Sequence, residues 1–139
     1  MTQIVAYLNL NGKCEEAMNF YKDCLGAELT LQRVGETPMA SQMPTEMHDK
    51  VLHSMLVKDT ITLMASDMRG KDFIKGNDTT LLFNCSSEEE INNYFNKLSQ
   101  GGTVKLPLMK QFWGATYGEL IDKYGKEWAF NFMDEGANN

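Results

Sequence analysis

The sequence lacks long apolar runs and clusters of positive charge. No apolar stretch approaches the roughly 18 residues of a membrane-spanning helix, and residues 1–4 lack the basic start and long apolar core of a signal peptide. The chain has 19 acidic and 13 basic residues, a formal net charge of −6 and no run of lysine or arginine. Because nucleic-acid binders need clustered positive charge against phosphates, we expect a cytoplasmic protein with no nucleic-acid or membrane partner.

Cysteine is also scarce. The three cysteines, Cys14, Cys24 and Cys85, are an odd number in a chain without an export signal, and their spacing matches no zinc pattern. Cys14 and Cys85 have no evident partner base that would make them nucleophiles. We therefore expect reduced, partly buried thiols and no disulfide framework.

The pattern of apolar residues divides the first half into a strand, a helix and three strands. Strands are predicted over 4–10, 28–34, 51–57 and 61–66, with a helix over 13–24. Gly26 is predicted to end the helix in the left-handed conformation, because glycine has no side chain to clash there. Residues 35–49 form a long connection that contains Pro38 and Pro44.

The second half repeats this order after a predicted linker over 68–78. Strands are predicted over 79–85, 103–109, 115–121 and 126–133, with a helix that starts at Ser87 and ends before Gly101. Ser87 and Glu90 form a capping-box pattern, and Pro107 restricts its strand to an edge or a bulge. A sheet face that one unit cannot bury alone favours pairing of the two units, with a concave space for small molecules.

Several phrases resemble the vicinal oxygen chelate superfamily, which includes glyoxalase I, extradiol dioxygenases, and bleomycin and fosfomycin resistance proteins. The phrases are the helix-to-strand segment 19–29, His53, the strand ending 64–67, and the segments 112–114 and 124–128. Together they cover residues 4–133 and are similar to the PhnB-like branch. The resemblance implies one α+β, glyoxalase-like domain over 1–139. In it, two paired βαβββ modules, about 1–67 and 79–135, form a cup-shaped mixed sheet around a central cavity, usually in a homodimer.

Catalytic members of this superfamily hold a divalent metal with histidine and glutamate on the first and fourth strand of each module. The resemblance places these positions near Ala6 or Tyr7, Leu63 or Met64, Leu82 or Phe83, and Ala129. None of these is a usual ligand, so we expect no metal and no cofactor. One alternative metal site stays open, in which His53 and Asp67 converge with Glu127 or His48. His48 itself is expected to be exposed.

Members of this branch have carried a 3-demethylubiquinone methyltransferase description. The sequence has no glycine-rich loop after a strand that would hold a nucleotide-like cofactor. We therefore do not expect this activity.

The ligand-binding candidates are Tyr7, His53, Met64, Trp113, Tyr117 and Glu127. Tyr7 and Met64 lie at expected ligand positions, and Glu127 lies two residues before Ala129 on the same strand face. His53 is either a histidine of the core or a polar group on the cavity wall. Trp113 and Tyr117 either line a pocket or pack structurally.

Met39, Met43 and Met47 recur every four residues in the long connection. They belong either to a surface loop that packs onto the core or to an adaptable lid or dimer contact, because methionine repacks easily.

The sequence is compatible with three functions. The first is a small-molecule binding protein with a metal-free cavity. The second is a metal-dependent lyase, isomerase or dioxygenase acting on a small oxygenated substrate. The third is a non-catalytic structural or regulatory dimer.

Overall fold

The computed structural model describes residues 1–134. The chain divides into two compact units, Met1–Ile74 and Lys75–Asn139. The division lies inside the predicted linker, whereas the predicted end of the second module at residue 135 lies outside the described residues. Within residues 1–134, no helix is both long enough and apolar enough to cross a membrane.

The first unit is a four-stranded mixed sheet with one α-helix. Its elements are β1 (Ala6–Asn9), α1 (Cys14–Leu25), β2 (Glu28–Arg33), β3 (Val51–Lys58) and β4 (Ile61–Ser66). The strand order is β1-β4-β3-β2, and only β1 runs parallel to its neighbour. β1 is shorter than predicted because its parallel ladder with β4 pairs only residues 6–9 with residues 63–66.

The second unit repeats the same order of elements. They are β5 (Leu81–Asn84), α2 (Glu88–Leu98), β6 (Thr103–Lys110), β7 (Ala115–Ile121) and β8 (Glu127–Met133). The strand order β5-β8-β7-β6 places β6 at an edge, and its register shifts on both sides of Leu106. Pro107 therefore lies in an irregular edge strand, as predicted. The α+β fold with two βαβββ modules is confirmed, and neither sheet closes on itself.

Each helix covers one face of its own sheet. The buried stripe of α1 consists of Cys14, Ala17, Met18, Tyr21, Cys24 and Leu25. Cys14 Sγ lies 3.5 Å from Ser54 Oγ on β3, and Ser54 and Leu56 are fully buried. Since side chains alternate along a strand, the neighbours of Ser54 and Leu56 on β3 point to the opposite side of the sheet.

The second core is built in the same way from aromatic residues. Phe95 of α2 makes an edge-on contact with Phe130 of β8, with ring centroids 5.2 Å apart. Phe83 of β5 stacks on both Phe130 and Trp128 at 5.1 and 5.2 Å. Trp128 is 2% exposed, so it is a core residue of this unit.

The two helices are capped by different means. In α2 the Ser87 half of the predicted capping box is present, since the Ser87 hydroxyl accepts from Glu90 N at 3.0 Å. Glu90 accepts from Ser86 N at 3.1 Å, one residue before the N-cap Ser87. In α1 the N-cap residue Lys13 has no capping side chain. Asp67, immediately after β4, takes that role across 53 residues by accepting from Cys14 N at 2.9 Å.

Candidate functional site

The register of the first sheet decides which candidates share a surface. Tyr7 pairs with Met64, Met64 with Met55, and Met55 with Thr30. This row lies on the side opposite α1, together with His53, two residues before Met55. We call this surface the first far face and define it by Tyr7, Thr30, His53, Met55 and Met64.

All three candidates of the first unit lie on the first far face. The rings of Tyr7 and His53 are 6.5 Å apart between centroids and tilted by 35°. Tyr7 is 49% exposed, and His53 and Met64 are half-buried. A phenol and an imidazole beside two thioethers provide hydrogen-bonding groups next to polarisable apolar surface.

The second sheet has a corresponding row on the side opposite α2. Leu82 pairs with Ala129, Ala129 with Glu119, and Glu119 with Leu106. Glu127 and Tyr117 share this side by strand alternation. We call this surface the second far face and define it by Leu82, Leu106, Tyr117, Glu119, Glu127 and Ala129.

Polar side chains on the second far face form two pairs. Lys105 Nζ donates to Glu127 Oε1 at 3.0 Å, and the Tyr117 hydroxyl donates to Glu119 Oε2 at 2.7 Å. The bond to Glu119 raises the pKa of Tyr117 to about 12, so this phenol is a proton donor at neutral pH. The bond to Glu127 raises the pKa of Lys105, so this amine remains an ammonium.

Glu127 is only half satisfied by its ion pair. Its side chain is 9% exposed, and Oε2 is buried without a hydrogen-bond partner among the described residues. A buried acceptor without a donor is uncommon in proteins. This oxygen would gain a hydrogen bond if the Glu127 side chain turned to meet a donor of a bound molecule.

Trp113 lies away from these strand rows, in the loop between β6 and β7. It is 50% exposed and meets Phe112 edge-on, with ring centroids 4.8 Å apart. Gly114 N donates to Gln111 O at 3.0 Å and closes the loop around the two aromatic residues. The structure thus groups Tyr117 with Glu127 on one sheet face and places Trp113 at the end of a hairpin.

The registers also resolve the metal positions that the resemblance left open. The pairs that point away from the helices are Tyr7 with Met64 and Leu82 with Ala129. Ala6, Leu63 and Phe83 have the opposite parity and point towards the helices. Side chains at the four far-face positions do not fit the histidine and glutamate ligands of the superfamily. Residues 1–134 contain no group of three or more His, Cys, Asp or Glu side chains arranged to hold a metal ion.

Asp67 and His48, two residues of the alternative metal site, are engaged in hydrogen bonds with the backbone. Asp67 Oδ1 accepts from Gly12 N and Cys14 N, and Asp67 Oδ2 accepts from Val51 N. His48 Nε2 lies 2.9 Å from Ala40 O and 3.2 Å from Met43 O. Because carbonyl oxygens only accept, this nitrogen carries the proton. The expectation that His48 is exposed was wrong, since these bonds hold the half-buried ring inside its loop.

The methionine-containing connection is a set of three short 3₁₀ helices, Val34–Glu36, Pro38–Gln42 and Thr45–Met47. Its base is closed by a hydrogen bond from Gly35 N to His48 O at 2.9 Å. No continuous helix aligns the three methionines. Met39 is 37% exposed, and Met43 and Met47 are half-buried.

Sequence reasoning did not single out Glu119, Lys105 or the capping role of Asp67. Glu119 was detectable, because it lies two residues after Tyr117 on a predicted strand and so shares its face. Asp67 had an indirect signal, a carboxylate directly after a buried strand in a chain whose first helix has lysine at its N-cap. Lys105 had none, since its placement follows from the register shift between Val104 and Leu106.

The buried thiols lead to a prediction at alkaline pH. Burial raises the pKa of Cys14 from its ordinary value of 9.0 to about 11 and that of Cys85 to about 12. An unfolded chain releases these protons near pH 9, before the folded chain does. Stability is therefore fully present below pH 9 and is expected to fall as the pH rises towards 11.

Urea unfolding between pH 8 and 11 measures this effect. Cys14→Ser, which keeps a hydroxyl near Ser54 but does not ionise, should show a shallower loss of stability with pH than the wild type. An equal slope for both proteins would contradict the assignment of this loss to Cys14.

Comparison with known proteins supports a specific family. A sequence profile of the family described as 3-demethylubiquinone-9 3-methyltransferase matches residues 2–130. The crystal structure of protein PA1353 from Pseudomonas aeruginosa is 34% identical, with a TM-score of 0.83 over 96% of this chain and 98% of that one. A putative 3-demethylubiquinone-9 3-methyltransferase, PhnB protein, from Bacillus cereus is 28% identical, with a TM-score of 0.75 over 94% and 99%.

The fold also extends beyond this family. A glyoxalase/bleomycin resistance protein/dioxygenase family enzyme from Burkholderia phytofirmans superimposes with a TM-score of 0.61 over 94% of this chain and 96% of that one. Its sequence identity is 11%, so this likeness concerns the fold alone.

Proposed function

Since the chain belongs to the PhnB-like family described as 3-demethylubiquinone-9 3-methyltransferase, we propose that it binds a small molecule on its far faces without a protein-held metal ion. One observation carries the proposal: on the first and last strand of each module, the paired far-face residues are not of the types that usually bind a metal. They are Tyr7 with Met64 and Leu82 with Ala129, and hydrogen-bonding groups surround them. Such surfaces suit binding of a small molecule by contact and hydrogen bonds.

The family description does not supply a methyl-transfer mechanism for these residues. A nucleotide-like methyl donor is held in other folds by a glycine-rich turn between a strand and a helix. In this chain the two such turns read Leu10-Asn11-Gly12-Lys13 and Cys85-Ser86-Ser87. We therefore propose binding and do not extend methyl transfer to this protein.

Three further features belong to the same proposal. We place the protein in the cytoplasm as a homodimer, as the resemblance implies. We also assign the loop with Met39, Met43 and Met47 to ligand or dimer contact, since it keeps one methionine exposed and two half-buried. Light scattering in solution tests the dimer directly, and a monomer at micromolar concentration would contradict it.

A thermal-shift screen against metabolites and antibiotics tests the binding function. A molecule that binds only the folded state at 100 times its Kd adds about 2.7 kcal/mol, which raises the melting temperature by several degrees. His53→Ala should reduce the shift caused by a ligand that contacts the first far face. Ile74→Ala is the control, because Ile74 is 89% exposed and lies outside both sheets.

Two results would contradict the proposal in different ways. Calorimetric titration with nickel, zinc and manganese is expected to show no tight site, and submicromolar binding of one metal per chain would favour a metal-dependent enzyme. Absence of any thermal shift across a broad library would favour the structural or regulatory dimer.

A further inference from the structure

The carboxylate of Glu127 combines deep burial with an unused hydrogen-bonding position. The side chain is 9% exposed, and the carboxylate meets one donor, Lys105 Nζ, at 3.0 Å on Oε1. Oε2 is buried and has no hydrogen-bond partner among the described residues. A carboxylate in this state lacks the second donor that would compensate it for the loss of water.

The neighbouring residues do not supply that donor. The Tyr117 hydroxyl is committed to Glu119 Oε2 at 2.7 Å. Lys105 is held by Oε1 of Glu127 and also interacts with the charge of Glu119. The backbone of β8 at Glu127 is occupied by its antiparallel ladder with β7.

The charges of this group favour a cation over a neutral or anionic partner. Glu119 and Glu127 lie on the second far face, and Lys105 interacts with both carboxylates, so these three side chains carry a net charge of −1. An anion near Oε2 is repelled by both carboxylates. A protonated amine both donates a hydrogen bond and neutralises the remaining charge.

We propose that the Glu127 side chain turns on ligand binding so that Oε2 accepts a hydrogen bond from a protonated amine of the bound molecule, and that the ligand class is therefore a small organic ammonium compound. This inference rests on the proposed binding function. Leu82 lies on the same face opposite Ala129 and is 58% exposed. It offers apolar contact for the carbon skeleton next to the charged group.

Methyl NMR of the full chain tests the proposal with three probes that share one skeleton: benzylamine, benzyl alcohol and benzoate. The methyl signals of Leu82 and Ala129 report binding at the second far face. We expect benzylamine to shift them and to bind at least about tenfold more tightly than the other two, because hydrogen bonds to charged groups are the stronger ones.

Two variants separate the role of Glu127 from a general effect of charge. Glu127→Gln keeps an oxygen for Lys105 but removes the negative charge, and it should lower benzylamine affinity to that of benzyl alcohol. Glu89→Gln removes the same charge from the exposed first turn of α2 in the same unit. It should leave the preference for the amine intact.

The outcomes distinguish this inference from the binding function itself. Equal binding of benzyl alcohol and benzylamine would overturn the amine class while leaving a binding surface in place, as would an unchanged amine preference in Glu127→Gln. If benzylamine at a concentration of about 10 mM shifts neither methyl signal, the inference is overturned, whatever the thermal-shift screen shows. If Glu127→Gln fails to fold, the comparison of the three probes on the wild type decides.

Discussion

Replacing Asp67 with alanine is expected to lower the free energy of unfolding by roughly 3–5 kcal/mol. The Asp67 side chain accepts from three backbone N–H groups, those of Gly12, Cys14 and Val51, at 2.8, 2.9 and 3.0 Å. It joins the start of α1 to the start of β3, and the residue is 6% exposed. Alanine leaves these donors without a partner and also removes a negative charge from the helix N-terminus.

Urea unfolding followed by circular dichroism measures the loss. Asp67→Asn should be intermediate, because its oxygen still accepts from Gly12 and Cys14 while its NH₂ group faces the Val51 donor. Asp23→Ala is the control, since it removes an exposed carboxylate from α1 and should change stability by less than about 0.5 kcal/mol. A comparably small loss for Asp67→Ala would show that water replaces the carboxylate at little cost.

The contrast between the two helix caps explains which parts of the fold were predictable. The cap of α2 comes from Ser87 and Glu90, three residues apart, so the pattern is visible in the sequence. The same holds for Gly26, which ends α1 with a φ of 65°, and for the strand Ile61–Ser66, whose bounds follow from its composition. These features depend on neighbours along the chain.

The cap of α1 depends on a residue 53 positions away, and no local pattern announces it. The far faces likewise depend on pairing between strands that are distant in the sequence. Ala6 and Tyr7 were equal candidates for one ligand position until the pairing of Tyr7 with Met64 fixed their orientation. The pairing of Ala129 with Glu119 likewise comes from the β7–β8 register. Sequence periodicity predicts which residues alternate, but only the register predicts which residues meet.

The β7–β8 hairpin contains both residues that build the fold and residues that determine the chemistry of the far face. Asp122 to Gly125 form the turn between β7 and β8, in which Gly125 has a φ of 84° and donates from N to Asp122 O at 2.9 Å. The following strand then places Ala129 on the second far face, at a position where the resemblance implies a metal ligand. Turn and core residues therefore build the fold, while the far-face residues are those whose side chains do not match the metal ligands that the resemblance implies.

Asp122 in this hairpin is the second residue whose replacement should have a large effect. Its Oδ1 accepts from Tyr124 N at 2.8 Å and Lys126 N at 3.0 Å, and Oδ2 accepts from the indole Nε1 of Trp128 at 2.8 Å. The residue is 3% exposed. Asp122→Ala is expected to lower the free energy of unfolding by roughly 3–5 kcal/mol, because it removes the acceptor of three hydrogen bonds and loosens the β7–β8 turn.

A double-mutant cycle with Trp128→Phe separates the indole bond from the turn bonds. Trp128→Phe removes only the Nε1 donor and some core volume. The double mutant should therefore lose about 1–2 kcal/mol less stability than the sum of the two single losses, because both single changes break the same Asp122–Trp128 hydrogen bond. Asp78→Ala, an exposed carboxylate of the same unit, serves as the control. Strict additivity would mean that Asp122 acts through the turn alone, and that Trp128 is held in the core by its packing on Phe83.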